Sequence, residues 1–125
     1  DTVLESQGKN LSGGQAQRVA LARALLYDAS VYIFDEATSN IDIESEEIIL
    51  NIIHSLSKEK TVIYISHRLP AIKNADCIYV MDKGRVIESG KHNDLYAKKE
   101  LYHNMYKHQE ELETYLTKRG ETNEK

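Results

Sequence analysis

The sequence predicts an α/β fold in layers: a mostly parallel sheet with helices, followed by a C-terminal β-hairpin and helix. Three observations carry this. Val31-Tyr32-Ile33-Phe34 and Thr61-Val62-Ile63-Tyr64-Ile65 are short, wholly apolar and rich in β-formers, as strands covered on both faces are. Between them, Ile48, Ile49, Ile52, Ile53 and Leu56 recur at helical spacing. Downstream, two further β-rich runs flank a turn with glycine. Strands alternating with helices indicate packed α/β layers.

Each element follows from local chemistry. Residues 15–27 are rich in Ala, Leu and Arg, lack Gly and Pro, and read as a helix. Its apolar residues lie on most faces, which predicts a largely buried helix. The helix expected over 43–56 has Asp42 as its N-cap. Residues 69–74 read as a short helical turn with Pro70 in its first turn, where proline is tolerated. Residues 77–81 and 85–88 flank Asp82-Lys83-Gly84 and read as a hairpin. From Asn93 the chain becomes helical and polar, with a narrow stripe of Tyr102, Met105, Tyr106, Leu112, Tyr115 and Leu116. Beyond Lys118 apolar residues cease, and a disordered tail is expected over 120–125. No repeat is visible, and no linker splits the chain. The first ten residues hold no complete element, from which a fragment of something longer is expected.

Composition narrows the function classes. The 125 residues suffice for one modest domain, and 41% apolar with 29% charged content is ordinary for a globular protein. A net charge of −4 gives no basic footprint for nucleic acid, so no nucleic-acid partner is expected. No apolar run approaches the ~20 residues of a membrane span, and no signal peptide is visible. The one cysteine, Cys77, cannot form an internal disulfide and reads as a small buried residue.

The chemistry concentrates at three places. In Leu11-Ser12-Gly13-Gly14-Gln15, Ser12 and Gln15 make a capping box at a helix start. The glycines between them let a ligand approach bare amides, and a helix N-terminus suits a phosphate. The first apolar strand ends in Asp35-Glu36, where unpaired carboxylates serve a core badly. One acid can hold a hydrated magnesium ion while its neighbour orients or deprotonates water; acidic helix caps are the other reading. The second strand ends in Ser66-His67-Arg68, where His67 can bond a phosphate oxygen or water, or simply be solvated. Ligands of such folds collect at these strand ends. The other histidines show no ligand-like clustering.

In their order and spacing these motifs resemble the C-terminal half of the nucleotide-binding domain of ATP-binding-cassette (ABC) transporters. Leu11 to Gln15, with Gln17 and Arg18, match the family's signature motif. Val31 to Glu36 match Walker B plus the catalytic glutamate, Ser39-Asn40-Ile41-Asp42 the D-loop, and His67 the switch histidine. The D-loop departs from the pattern, with Asn40-Ile41 where Ala-Leu is commonest. Glu36-Ala37-Thr38-Ser39 and Ser66-His67-Arg68-Leu69 look like the exporter branch.

The resemblance covers residues 1–97 as the half-domain, leaving a C-terminal helix over 98–119. It implies a partial P-loop-NTPase-type fold and transport-coupled ATP hydrolysis. Asp35 would position Mg2+ through water, and Glu36 would act as general base. His67 would contact the γ-phosphate. Leu11, Ser12, Gly13, Gly14 and Gln15 would meet ATP held by a second nucleotide-binding domain in a head-to-tail dimer. Asp42 would carry contacts between the two sites. The implied partners include transmembrane domains, and the implied place is the cytoplasmic face of the cell membrane.

The chain contains no P-loop of the form G-x-x-x-x-G-K-[ST]; Gly8-Lys9 is followed by Asn10, and Gly84 and Gly90-Lys91 are spaced one residue too far. These 125 residues alone are therefore expected neither to bind ATP tightly nor to hydrolyse it, and to self-associate through uncovered faces. Two other functions compete: a soluble ABC-type ATPase of DNA repair or translation, and a non-catalytic interaction domain docking through the Tyr-rich helix.

Overall fold

The α/β alternation is realised as two helices packed on one face of a parallel strand pair. A computed structural model of the chain describes residues 11–122. Helix α1 spans Gly13–Leu25, β1 Val31–Asp35, α2 Ile43–Leu56 and β2 Thr61–Ile65. Strands β1 and β2 pair in parallel, with Val31 opposite Thr61 and Asp35 opposite Ile65. Leu21 of α1, Tyr32 and Phe34 of β1, and Ile49 and Ile53 of α2 form the core. These elements make up a first compact unit ending at His67.

Burial in this unit is one-sided, which corrects two expectations. Alternate residues of β1 are buried, and Val31 and Ile33 on its other face are 51% and 65% exposed. On β2, Ile63 and Ile65 are likewise exposed. Alpha-helix α1 buries only Gly14 and Leu21, while Val19 is exposed. Apolarity measures a residue's affinity for burial; what covers it depends on a second layer. Among the described residues that layer lies on one face only.

Residues 68–125 form a second compact unit, where no linker in the sequence marks a boundary. The physical reason is that β3 and β4 pair with each other and form a sheet separate from β1–β2. Here α3 spans Leu69–Ile72, β3 Ile78–Asp82, β4 Arg85–Gly90, α4 His92–Lys98 and α5 Leu101–Thr122. Lys83 and Gly84 turn the hairpin with φ of +48° and +76°. Two positive values make the two-residue turn that matches the strands' twist. The core joins Leu69, Ile78, Val80, Leu95, Tyr102 and Tyr106.

The polar helical stretch from Asn93 is two helices, parted at Lys99, whose φ of +57° is left-handed and ends α4. Two further expectations change. Helix α5 runs to Thr122, past the end expected at 119, because no proline stops it and a helical glycine costs only about 1 kcal/mol. Residues 123–125 of the expected tail, like the first ten residues, lie outside the described residues. Cys77 is exposed, since it precedes β3 instead of entering its buried face. Along α5 only Tyr102 and Tyr106 of the apolar stripe are buried; Met105, Leu112, Tyr115 and Leu116 are exposed.

Polar groups also fix the second unit. The buried Glu88 of β4 accepts the Tyr102 amide at 2.8 Å, capping the start of α5 from another element. His92 Nδ1 lies 2.9 Å from the Tyr102 hydroxyl, and its ring stacks among Tyr96, Tyr102 and Tyr106. Burial pushes the Tyr102 phenol up to about 12. Burial, then the positive charge of Lys73, hold the His92 pKa below its ordinary 6.5, while Glu110 opposes them.

The folded state therefore binds this proton more weakly than the unfolded chain does. The stabilisation is complete above the unfolded value of 6.5 and is lost as pH falls from there through the lower folded value. Urea midpoints taken at falling pH should drop below 6.5 in the native chain. In His92→Phe, which keeps a ring in the cluster, that part of the slope should be absent.

Candidate functional site

Three positions foreseen in the sequence fall within the first unit, and the structure draws them into two groups of contacts. The first joins the starts of α1 and α2. Ser12 has extended backbone, with φ −66° and ψ 161°, and its hydroxyl accepts the Gln15 amide at 3.2 Å. The Gln15 side chain returns the bond to the Ser12 amide at 3.0 Å, completing the capping box. The amides of Gly13 and Gly14 lie between, in the turn where helix donors lack intrahelical partners. Leu11 is half-buried beside them.

Gly14 has a reason the sequence did not reveal. It is buried, and a Cβ there would collide with the Cβ and Oγ of Ser45 and lie 3.2 Å from an Asp42 carboxylate oxygen. Gly14 thus lets the start of α2 approach the start of α1. Gly13 is tight too: a Cβ would stand 3.4 Å from the Asn40 carbonyl oxygen and 3.6 Å from Ile41. Asp42 caps α2 by accepting the Ser45 amide at 2.9 Å. That bond, then the Ser45 hydroxyl, hold the Asp42 carboxyl below its ordinary 3.8, with Arg18 adding a weaker pull.

The second group stands past the ends of β1 and β2. Asp35 ends β1 exposed, on the same face as Val31 and Ile33. Glu36 then adopts φ +53°, a left-handed conformation that costs a non-glycine residue on the order of 1–3 kcal/mol. Hydrogen bonds on both sides hold it there. Its amide donates to the Ile65 carbonyl at 2.9 Å, and its own carbonyl accepts the Ser39 hydroxyl at 2.9 Å and the Ser39 amide at 3.1 Å. Below the loop, the buried Thr38 meets the Tyr64 hydroxyl at 2.7 Å. A tyrosine inside an apolar strand needs such a partner, and that was the available signal for it.

The strained turn swings the Glu36 side chain towards His67. Glu36 Oε1 lies 3.3 Å from His67 Nε2; the glutamate side chain is 31% exposed and the histidine 94%. The contact lacks hydrogen-bond geometry, so the buried Oε1 of Glu36 has no hydrogen-bond partner. An exposed imidazole and a carboxylate oxygen buried without a bond stand ready for a water or a ligand oxygen. Among the described residues no three His, Cys, Asp or Glu side chains gather as a metal cage. Asp35 ends β1 with an exposed carboxylate, hard oxygen that suits a cation keeping most of its waters.

This is a partial P-loop-NTPase-type α/β fold, with its chemistry at the strand ends and at a helix start. The ABC transporter family matches over residues 1–39. An ABC transporter ATP-binding protein of Haemophilus influenzae, itself uncharacterised, is 58% identical over 113 residues, 90% of this chain and 20% of its own. The alpha-hemolysin translocation ATP-binding protein of Escherichia coli is 51% identical over 107 residues, 85% of this chain and 15% of its own. The solved structure of a bacterial Atm1-family ABC exporter with ATP bound superposes with a TM-score of 0.80 at 41% identity, covering 87% of this chain and 19% of that one. The chain belongs to the ABC transporter family, as a portion of an ATP-binding domain with exporter-type relatives. It spans a fifth or less of the length of these relatives.

The Gly14–Ser45 contact makes a prediction against the usual trend. Glycine to alanine inside a helix ordinarily gains about 1 kcal/mol. Gly14→Ala should instead destabilise by about 1–3 kcal/mol, the range of overpacking. Adding Ser45→Gly should restore part of it. Urea midpoints at constant m-value measure both; a Gly14→Ala chain as stable as the native one contradicts the packing role.

Proposed function

We propose that this chain supplies the catalytic glutamate, the switch histidine and the signature helix to the ATPase domain of an ABC exporter. ATP hydrolysis there would drive transport across a membrane. The carrying observation is the Glu36–His67 contact at the ends of adjacent parallel strands. The printed names of relatives, translocation of a toxin and export with ATP bound, support the exporter reading.

In this reading each residue acts through its position. Glu36, with one carboxylate oxygen unbonded, takes a proton from water or polarises it towards the γ-phosphate. His67 donates to a γ-phosphate oxygen and holds the line of attack. Asp35 would hold a Mg2+ ion through water, and the ion when bound would supply charge neutralisation at the phosphate oxygens. The amides of Gly13 and Gly14, with Ser12, meet the γ-phosphate of ATP held by a second nucleotide-binding domain paired head to tail. Leu11 and Gln15 frame that contact. Asp42 caps α2 against the signature glycines, so it can transmit the state of one site to the other. Transmembrane domains are the remaining partners, and in this reading the site works at the cytoplasmic face of the cell membrane.

Two experiments test this. In the full-length protein carrying the chain, Glu36→Gln should abolish steady ATP turnover while nucleotide is still bound; undiminished turnover overturns the reading. The 125 residues alone, which contain no P-loop, should show no magnesium-dependent ATPase activity. Activity lost on Glu36→Gln would overturn that expectation.

The bare sheet face of Val31, Ile33, Ile63 and Ile65 further supports self-association of the isolated chain. Light scattering at high concentration should find a dimer or larger assembly, and a clean monomer contradicts it.

A further inference from the structure

We infer that Tyr64 and Thr38 are positioning residues for Glu36, an inference resting on the role of Glu36 proposed above. The carrying observation is the 2.7 Å bond between their hydroxyls, 26 residues apart in sequence, beneath the loop that presents the glutamate. Both partners are firmly placed. Tyr64 lies in β2 opposite Phe34 and packs on the core of the first unit. Thr38 is buried at 2% exposure. The Tyr64 hydroxyl is more than that core requires, since Phe34 fills the paired position of β1 with a ring and no polar atom.

The bond closes a ring around Glu36. The Glu36 amide is fastened to the Ile65 carbonyl of β2 at 2.9 Å. On the other side, Ser39 returns its amide and its hydroxyl to the Glu36 carbonyl. Those two bonds tie the loop to itself; the Thr38–Tyr64 bond ties it to the strand. Glu36 needs both holds because its φ of +53° is strained and relaxes towards negative values when one is lost. Rotation about N–Cα moves Cβ, and with it the carboxylate that stands 3.3 Å from His67 Nε2. Burial keeps the Tyr64 phenol above its ordinary 10 against the bond to Thr38, and the charges of Glu46 and Glu36 add to the rise. The phenol therefore stays protonated at neutral pH and shares that proton with Thr38. Loss of either hydroxyl frees the loop from β2 beyond Glu36, and the carboxylate spends less time where it meets water. The rate of the chemical step falls. Nucleotide affinity does not, because in the function proposed Glu36 acts on water and holds no part of the nucleotide.

The test is a kinetic cycle in the full-length protein carrying the chain. Tyr64→Phe, which keeps the ring and removes the hydroxyl, should lower kcat about three- to tenfold, the range one such hydrogen bond covers, with KM for ATP unchanged. Thr38→Val removes the same bond from its other end and should do the same. Thr38→Ser, which keeps a hydroxyl, should recover most of the rate. Tyr64→Phe combined with Thr38→Val should be no slower than the slower single variant, because each removes one shared bond. If Tyr64→Phe does not fold, Thr38→Val and Thr38→Ser decide alone. An unchanged kcat, losses that multiply in the double variant, Thr38→Ser as slow as Thr38→Val, or a KM that rises as kcat falls overturns the inference and leaves the role of Glu36 standing. Glu36→Gln with undiminished turnover overturns that role, and the inference with it.

Discussion

The parallel register of β1 on β2 is the constraint on which the candidate site depends. Asp35 stands opposite Ile65, and the ladder extends one bond further, from the Glu36 amide to the Ile65 carbonyl. Glu36 and His67 are thereby the first and second residues past one pair. A slip of a single residue would turn Tyr32 and Phe34 out of the core and part the glutamate from the histidine. The register is specified by burial: Tyr32, Phe34, Val62 and Tyr64 face the helices, while Val31, Ile33, Ile63 and Ile65 face away. The fold's largest energetic preference and the site's geometry are therefore the same choice.

Local chemistry made most of this legible in the sequence. The capping box, the Asp42 cap of α2 and the span of α2 follow from local sequence, and each forms as read; the hairpin forms with Gly84 in its turn and Asp82 drawn into β3, paired with Arg85. The reading failed where the answer lay in what packs against an element. Apolar faces of β1 and α1 read as buried and are exposed, and Cys77 likewise. The boundary after His67 has no glycine or proline run to mark it, because it follows from which strands pair. Among the site residues, Gly14 was read as a ligand contact alone. Its collision with Ser45 is visible only once two helices, 31 positions apart at these residues, converge.

That convergence has an electrostatic consequence. Two helix starts, each with unsatisfied amides and a partial positive charge, are held together at Gly14. The Asp42 carboxylate lies beside both, bonded to the Ser45 amide and close to Gly14. Its pKa is lowered, so it stays charged and offsets part of the positive field. In the function proposed, a phosphate arriving at Ser12–Gly14 would meet a start of α1 whose field is already shared with a fixed anion. Any shift of Asp42 changes the field at the α1 start. A carboxylate bonded to α2 and close to α1 links the loop before α2 to Gly14 directly, and in the function proposed this would be the physical basis for coupling the two, with no longer path required.

In the second unit, polar bonds decide where α5 goes. Apolar contact anchors its first turns through Tyr102 and Tyr106, and Leu112, Tyr115 and Leu116 lie exposed beyond them. Hydrophobic burial is non-directional and would tolerate rotation of a helix held by two tyrosines. Glu88 on the Tyr102 amide and His92 on the Tyr102 hydroxyl remove that freedom, since a rotated helix would leave the buried carboxylate without its donor. With the rotation set, Gln109 is presented to Leu69 two turns further along. The order of dependence runs from β4 through Glu88 to α5, and from α5 through Gln109 to the start of α3. The buried glutamate on the hairpin is thus the first link in what holds that segment.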